Sequence, residues 1–232
     1  MARTAEPFSR AVAVTWVYNL GIPCGVLAAD DAAMREIEDA LQNAERFGDD
    51  LAAAIMRMTL GNALVHRRTD AEHERGQQLL AELSDVFLRS GHNLGEIPLV
   101  NAYSARVRAR RGDRDDAIAV MRAAADHVFR EGRVLAWNIP LTGVLVETLL
   151  DRGTNLDSEG DLAEARAAIE RLAAAPAEDG LVLRDIWLLR LRALLARAHG
   201  DTAAYADLRD RYRDMANSLG FEGHIAWADT MH

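Results

Sequence analysis

Seven histidines, one cysteine and 36 acidic residues are the groups in this 232-residue chain that could do chemistry. The histidines are His66, His73, His92, His127, His199, His224 and His232, and no two stand four apart on one helix, so a helical His-Glu-x-x-His zinc site is missing. His66 and His73 flank a turn that also holds Glu72 and Glu74, and surface histidines on a turn are the reading their spacing favours over a metal site. Asn155, Asp157 and Glu159 begin like a calcium loop, but Arg166 stands at the twelfth position, where the closing bidentate acid is needed. Cys24 follows Pro23 in an apolar stretch, an environment that raises a thiol pKa and makes it inert. All 27 cations are arginine. Without lysine the chain has no phosphate-loop lysine, no Schiff-base amine and no kinase strand lysine. These absences predict a chain that is not an enzyme, with no catalytic residues, no metal and no cofactor.

The remaining candidates are recognition residues. Arg106, Arg108, Arg110, Arg111 and Arg114 form the densest basic patch, but helical spacing spreads them around the axis and Asp113, Asp115 and Asp116 neutralise them locally. A solvated face with ion pairs is expected there. Trp16, Trp137, Trp187 and Trp227 all fall on predicted helices, the first three on apolar helices of the buried kind, and rings of this size pack by default. Trp137 is followed by Asn138 and Pro140, which predicts a bent helix and an opened ring. Trp187 stands among Arg184, Asp185 and Arg190. A partner-binding groove would therefore be built from Asn101, Tyr103, Trp137, Asn138, Arg184, Trp187 and Arg190.

Positioning these residues falls to helices alone, because Ala, Leu, Arg and Glu dominate and period-two runs of Val, Ile, Thr and Tyr are missing. Gly-Asp pairs at Gly112-Asp113, Gly160-Asp161 and Gly200-Asp201 read as a left-handed helix stop followed by a cap for the next helix. Asp30 or Asp31, and Asp70, read as caps without the glycine. An amphipathic stripe follows each cap, as in Ala117, Ile118, Met121, Ala124 and Ala125 after Asp113. A longer, more apolar helix precedes each cap. The alternation predicts one continuous domain over residues 1–232, with five hairpins at about 8–47, 50–90, 95–130, 133–174 and 181–218 and a closing helix at about 221–230. Ala33, Gly76, Ala117 and Ala165 recur at the same place in successive units, where a small residue lets two helices approach closely. Tyr205 breaks the rule in the fifth unit.

Leu20-Gly21 with Ala33 and Ala40, Leu60-Gly61-Asn62-Ala63, Gly112-Asp113 with Ala117, Ile118 and Ala124, and Gly160-Asp161 with Ala165 and Leu172 resemble degenerate tetratricopeptide (TPR) repeats. The units are longer than the usual repeat, and the closing proline is mostly missing, with Pro176 the one match. With Phe221 through Ala228 at the end, the chain is similar to the C-terminal helical region of large actinobacterial signalling proteins that carry adenylate cyclase and ATPase modules, and of related transcriptional regulators. The resemblance covers about residues 30–230 and none of the catalytic modules. It implies an all-α, TPR-like α-solenoid that serves as a protein–protein interaction or regulatory module, with a cyclase or ATPase module as partner in cis or in trans.

The net charge of −9 argues against nucleic acid or an anionic membrane as the main partner. The lone cysteine fits a reduced, cytoplasmic setting. The uncharged run Ala11–Ala29 after Arg10 has a signal-peptide outline, but Glu6, Pro7, Asn19, Gly21 and Pro23 favour a buried first helix. The expected partner is a protein or peptide. The alternatives are a small metabolite closed in the groove, which would make the chain a sensor, and a second copy of the chain in a homodimer.

Overall fold

The computed structural model describes residues 5–67, 69–90, 97–130, 137–151, 158–176 and 181–232. Among them are eleven α-helices and no strand: α1 (Ala5–Gly21), α2 (Asp31–Arg46), α3 (Asp50–Leu64), α4 (Asp70–Ser90), α5 (Ile97–Arg110), α6 (Arg114–Arg130), α7 (Asn138–Leu150), α8 (Ser158–Ala174), α9 (Val182–His199), α10 (Thr202–Leu219) and α11 (Glu222–Ala228). The fold is all-α, and neighbouring helices pack on one another along α1–α4 and along α6–α11. The chain divides into two compact units, Met1–Ser104 and Ala105–His232, with the boundary inside α5.

In the first unit α1 stops at Gly21 rather than running on toward residue 28. Pro23 lacks the N–H a helix would need, and Gly25 turns the chain at φ 76°. Asp30 is the cap of α2, accepting from Ala32 N at 2.9 Å and Ala33 N at 2.8 Å. Gly48 ends α2 at φ 69°, and Asp49 caps α3 by accepting from Ala52 N at 3.0 Å. That Gly-Asp pair carries the same signal as the three identified above. Asp70 is not the cap of α4. Thr69 and Glu72 make a reciprocal box, in which Glu72 N donates to the Thr69 hydroxyl at 3.3 Å while Thr69 N donates to Glu72 Oε2 at 3.2 Å.

The apolar helix α3 is buried from Ala52 to Leu64 on most sides and packs against α1, α2 and α4. It meets α4 at Gly61 and Gly76. A Cβ on Gly76 would stand 2.8 Å from the Leu64 Cβ and 2.9 Å from the Gly61 carbonyl oxygen, so only glycine fits. The buried side chains of Asn19, Thr59 and Asn62 in this unit are neutral and pair with polar neighbours, although Asn62 Oδ1 has no partner among the described residues. The Thr15 and Thr59 hydroxyls are 2.9 Å apart, and the Asn62 amide donates to Asn19 Oδ1. The first helix is only partly buried: Ala11 and Val14 face the core, whereas Trp16 is 68% exposed and Val17 points outward with it. Trp16 is thus not a core ring. Its face of α1 has no neighbouring helix among the described residues.

In the second unit the Gly200-Asp201 pair behaves as expected. Gly200 closes α9 at φ 80°, and Asp201 accepts from Ala204 N at 2.9 Å. Gly160-Asp161 does not. Both residues lie inside the first turn of α8, which starts at Ser158, and Asp161 accepts instead from Arg114 Nη2 at 2.8 Å. Arg114 also donates to the carbonyls of Thr148 and Leu149, closing the C-terminal end of α7, where a cation is favoured. Ala117 and Ala165 are buried, and so is Tyr205 in the equivalent place. Consecutive helices from α6 to α11 pack in order, and α7 also packs on α9. No helix among the described residues is long and apolar enough to cross a membrane.

Candidate functional site

Helix α7 is the most buried element of the second unit, and Glu147 is its single charge. An ionised carboxylate in such surroundings needs partners, because burial alone strongly disfavours it. Two arginines supply them. Arg106 on α5 donates from Nη2 to Glu147 Oε2 at 2.6 Å. Arg190 on α9 donates to Glu147 Oε1 from Nη2 at 2.7 Å and from Nε at 3.1 Å. The side chains of Glu147 and Arg190 are 13% and 12% exposed. Burial pushes the Glu147 pKa up, but the attraction of Arg190 and then Arg106 outweighs it and holds the group at about 2. Burial likewise opposes the Arg190 charge, and Glu147 more than restores it.

The triad forms one wall of a 490 Å³ cleft, completed by Leu150 and Asp151 of the α7 end and by Leu194, Arg197 and Ala198. Helical spacing explains the lining. Glu147, Leu150 and Asp151 lie three and four apart, as do Arg190, Leu194 and Arg197, so each set forms one stripe. Arg106, Arg190 and Arg197 line this space with Glu147 and Asp151, one more cation than anions among the described residues. Arg197 lies over the Tyr205 ring at 5.7 Å and pairs with no carboxylate among the described residues.

Behind the triad Arg190 is held from the far side. Its guanidinium lies 5.0 Å from the Trp227 ring centre, and Nη1 approaches the Met231 sulfur at 3.8 Å. Tyr212, buried on α10, donates to the His224 carbonyl at 3.1 Å and stands 2.8 Å from His224 Nδ1. Burial pushes the Tyr212 phenol up, so it stays protonated. Trp187, His224 and Trp227 meet edge to face, with centroid distances from 5.0 to 5.5 Å. The short helix α11 therefore closes this end by packing aromatic rings around Arg190.

Of the residues expected in a groove, only Arg190 lines this cleft. Trp187 supports it from behind. Its ring is buried against Gly143, where a Cβ would stand 2.2 Å from Cζ3. Trp137 is buried just ahead of α7, and Pro140 does not bend the helix. It sits in the first turn, where the missing N–H has no acceptor to lose. Asn138 is fully buried, and neither atom of its amide has a hydrogen-bond partner among the described residues. Arg184 donates to the Ala175 carbonyl at 3.1 Å. Asn101 and Tyr103 belong to the first unit, where Tyr103 is buried edge-on against His66 at 4.9 Å.

The basic patch has the ion pairs expected of it, but Arg106 and Arg114 make theirs away from the solvated face. Arg106 and Arg114 both reach across to α7, to Glu147 and to the carbonyl end of the helix. Glu147 was the missed residue, and its signal was its isolation, one acid in the apolar stretch Asn138–Leu150. Among the other candidates, His66 Nδ1 lies 2.7 Å from the Asn62 carbonyl and His73 Nε2 lies 2.6 Å from that of Arg67. No three His, Cys, Asp or Glu side chains among the described residues are placed to hold a metal. Burial pushes the Cys24 thiol up to about 12. His92, Asn155 and Asp157 lie outside the described residues. Comparison with protein-family models, with curated proteins and with solved structures found no match.

Proposed function

We propose that this chain is a non-catalytic binding module of a signalling or transcription-regulating system, a stack of TPR-like hairpins that recognises an acidic group of a protein or peptide partner in the α5/α7/α9 cleft. The observation that carries the reading is the excess cation. Arg106 and Arg190 share a single carboxylate, and Arg197 stands at the same cleft paired with none among the described residues. Guanidinium groups fixed in this way match the two oxygens of a carboxylate. The resemblance to the helical tails of cyclase- and ATPase-bearing regulators supports a protein partner, reached in cis or in trans, and a cytoplasmic setting.

The test is calorimetric titration of the protein with an Asp/Glu-rich peptide and with the same peptide carrying Asn and Gln. The acidic peptide is expected to bind and the amide peptide to fail. Arg197→Ala should weaken binding about tenfold, the scale of one charge-assisted hydrogen bond. Equal binding of the two peptides would overturn acid recognition.

The cleft volume of 490 Å³ favours a second reading, since small-molecule sites span about 300–1,000 Å³. In that reading the module senses a small organic acid. A thermal shift with succinate, and none with the acidic peptide, would assign it.

A further inference from the structure

A second cavity lies in the other face of α7. Helices α6 and α8 flank α7 on this side, and a space of 180 Å³ separates them. Its floor and walls are Ala125 and Phe129 of α6, Thr142 and Leu145 of α7, and Ala167 and Ala168 of α8. The three alanines leave the volume that larger apolar side chains would fill. Two ion pairs bridge the mouth. Arg122 donates to both oxygens of Glu164, each at 2.8 Å, and Arg171 pairs with Asp126 while lying 4.0 Å over the Phe129 ring. Every charge at the mouth is thus matched, unlike those of the Arg106–Arg190 cleft.

One polar group in the lining is unmatched. Thr142 is 2% exposed, and its hydroxyl has no hydrogen-bond partner among the described residues. One turn earlier on the same face of α7 stands Asn138, whose buried amide is also unpartnered. Leaving such groups unbonded destabilises the fold, and an apolar residue of the same shape avoids the cost. A hydroxyl retained in an otherwise apolar cavity is accounted for by a ligand that bonds to it.

We propose that the α6/α7/α8 cavity binds a small uncharged amphiphile, with a flat apolar body against Phe129 and Leu145 and one hydrogen-bonding end on the Thr142 hydroxyl. The balanced mouth disfavours an ion. The volume suits a single ring, since an apolar cavity of about 150 Å³ takes benzene. This proposal does not depend on the acid-binding cleft.

Benzamide and toluene, two rings with and without a polar end, serve as probes in thermal-shift and NMR titrations of the full chain. Benzamide is expected to raise Tm saturably and to shift amide resonances of α6, α7 and α8. Ala168→Phe, which fills the space, should abolish binding of both probes. Thr142→Val should keep the fold and leave toluene binding unchanged while weakening benzamide about tenfold. Absence of a benzamide effect on the wild-type protein would overturn the proposal, as would equal benzamide affinity in Thr142→Val. The second variant decides the matter even if Ala168→Phe does not fold.

Discussion

Glu72 in the first unit and Glu147 in the second are both held at about 2, well below the ordinary 4.5, and for different reasons. Glu72 is held down first by the Thr69 hydroxyl and then by Arg67, at the start of α4. Glu147 is opposed first by its own burial, and two arginines on other helices overcome that. The first arrangement is a helix cap, half-open to water and assembled from neighbours. The second is a set of internal charges that the fold must bring together from 41 and 43 residues away. A cap stabilises one helix end. A buried triad with an excess cation does more than stability requires, because well-packed apolar residues would serve the fold as well or better. In the function proposed above, that surplus is what an acidic partner meets.

The largest test of this contrast is neutralisation of each acid. Glu147→Gln leaves the largely buried Arg190 and the half-buried Arg106 without their anion and should remove about 3 kcal/mol in urea denaturation. Glu72→Gln keeps a capping side chain and should cost about 1 kcal/mol or less. Equal losses would erase the distinction.

Acid titration sharpens it. Both groups have folded pKa values below their unfolded ones, so each contributes stability that is complete above about pH 4.5. The contribution is lost as pH falls from there toward 2, because the unfolded chain takes up the proton first. Because the two shifts are alike, Glu147→Gln and Glu72→Gln should each flatten the fall of stability between pH 5 and about pH 2 by a similar amount, so that only their losses at neutral pH differ. Denaturation midpoints across that window measure it.

A smaller effect compares close packing in the two units. In Gly143→Ala the new methyl meets the Trp187 ring, and in Gly76→Ala it meets the Gly61 carbonyl and Leu64. Each should cost about 1–3 kcal/mol. Only Gly143→Ala should also alter the cleft, because Trp187 supports Trp227 and through it Arg190. Tryptophan fluorescence checks this.

Much of the helix order was legible from single residues. Asp30, Gly200 and Asp201 act where their types and positions indicate, because a cap needs only its own backbone neighbours. The same local logic explains the errors. Asp161 sits within α8 because that helix begins three residues earlier, and the Thr69–Glu72 box, not Asp70, caps α4. The candidate site was much less legible. Arg190 stood out for its place near Trp187, but its partner Glu147 lies on another helix, and no spacing rule links them. Trp16 was misplaced because an apolar first helix reads as buried, and only the packing shows which side of it has no neighbour.

The central claim is that the Arg106–Arg190 cleft accepts an external carboxylate. Thermal unfolding of Glu147→Gln with and without succinate tests it most directly, since that variant leaves both guanidinium groups open. The account predicts that succinate raises Tm of the variant in a saturable way and by more than it raises that of the wild type. An identical, small shift in the two proteins would contradict it.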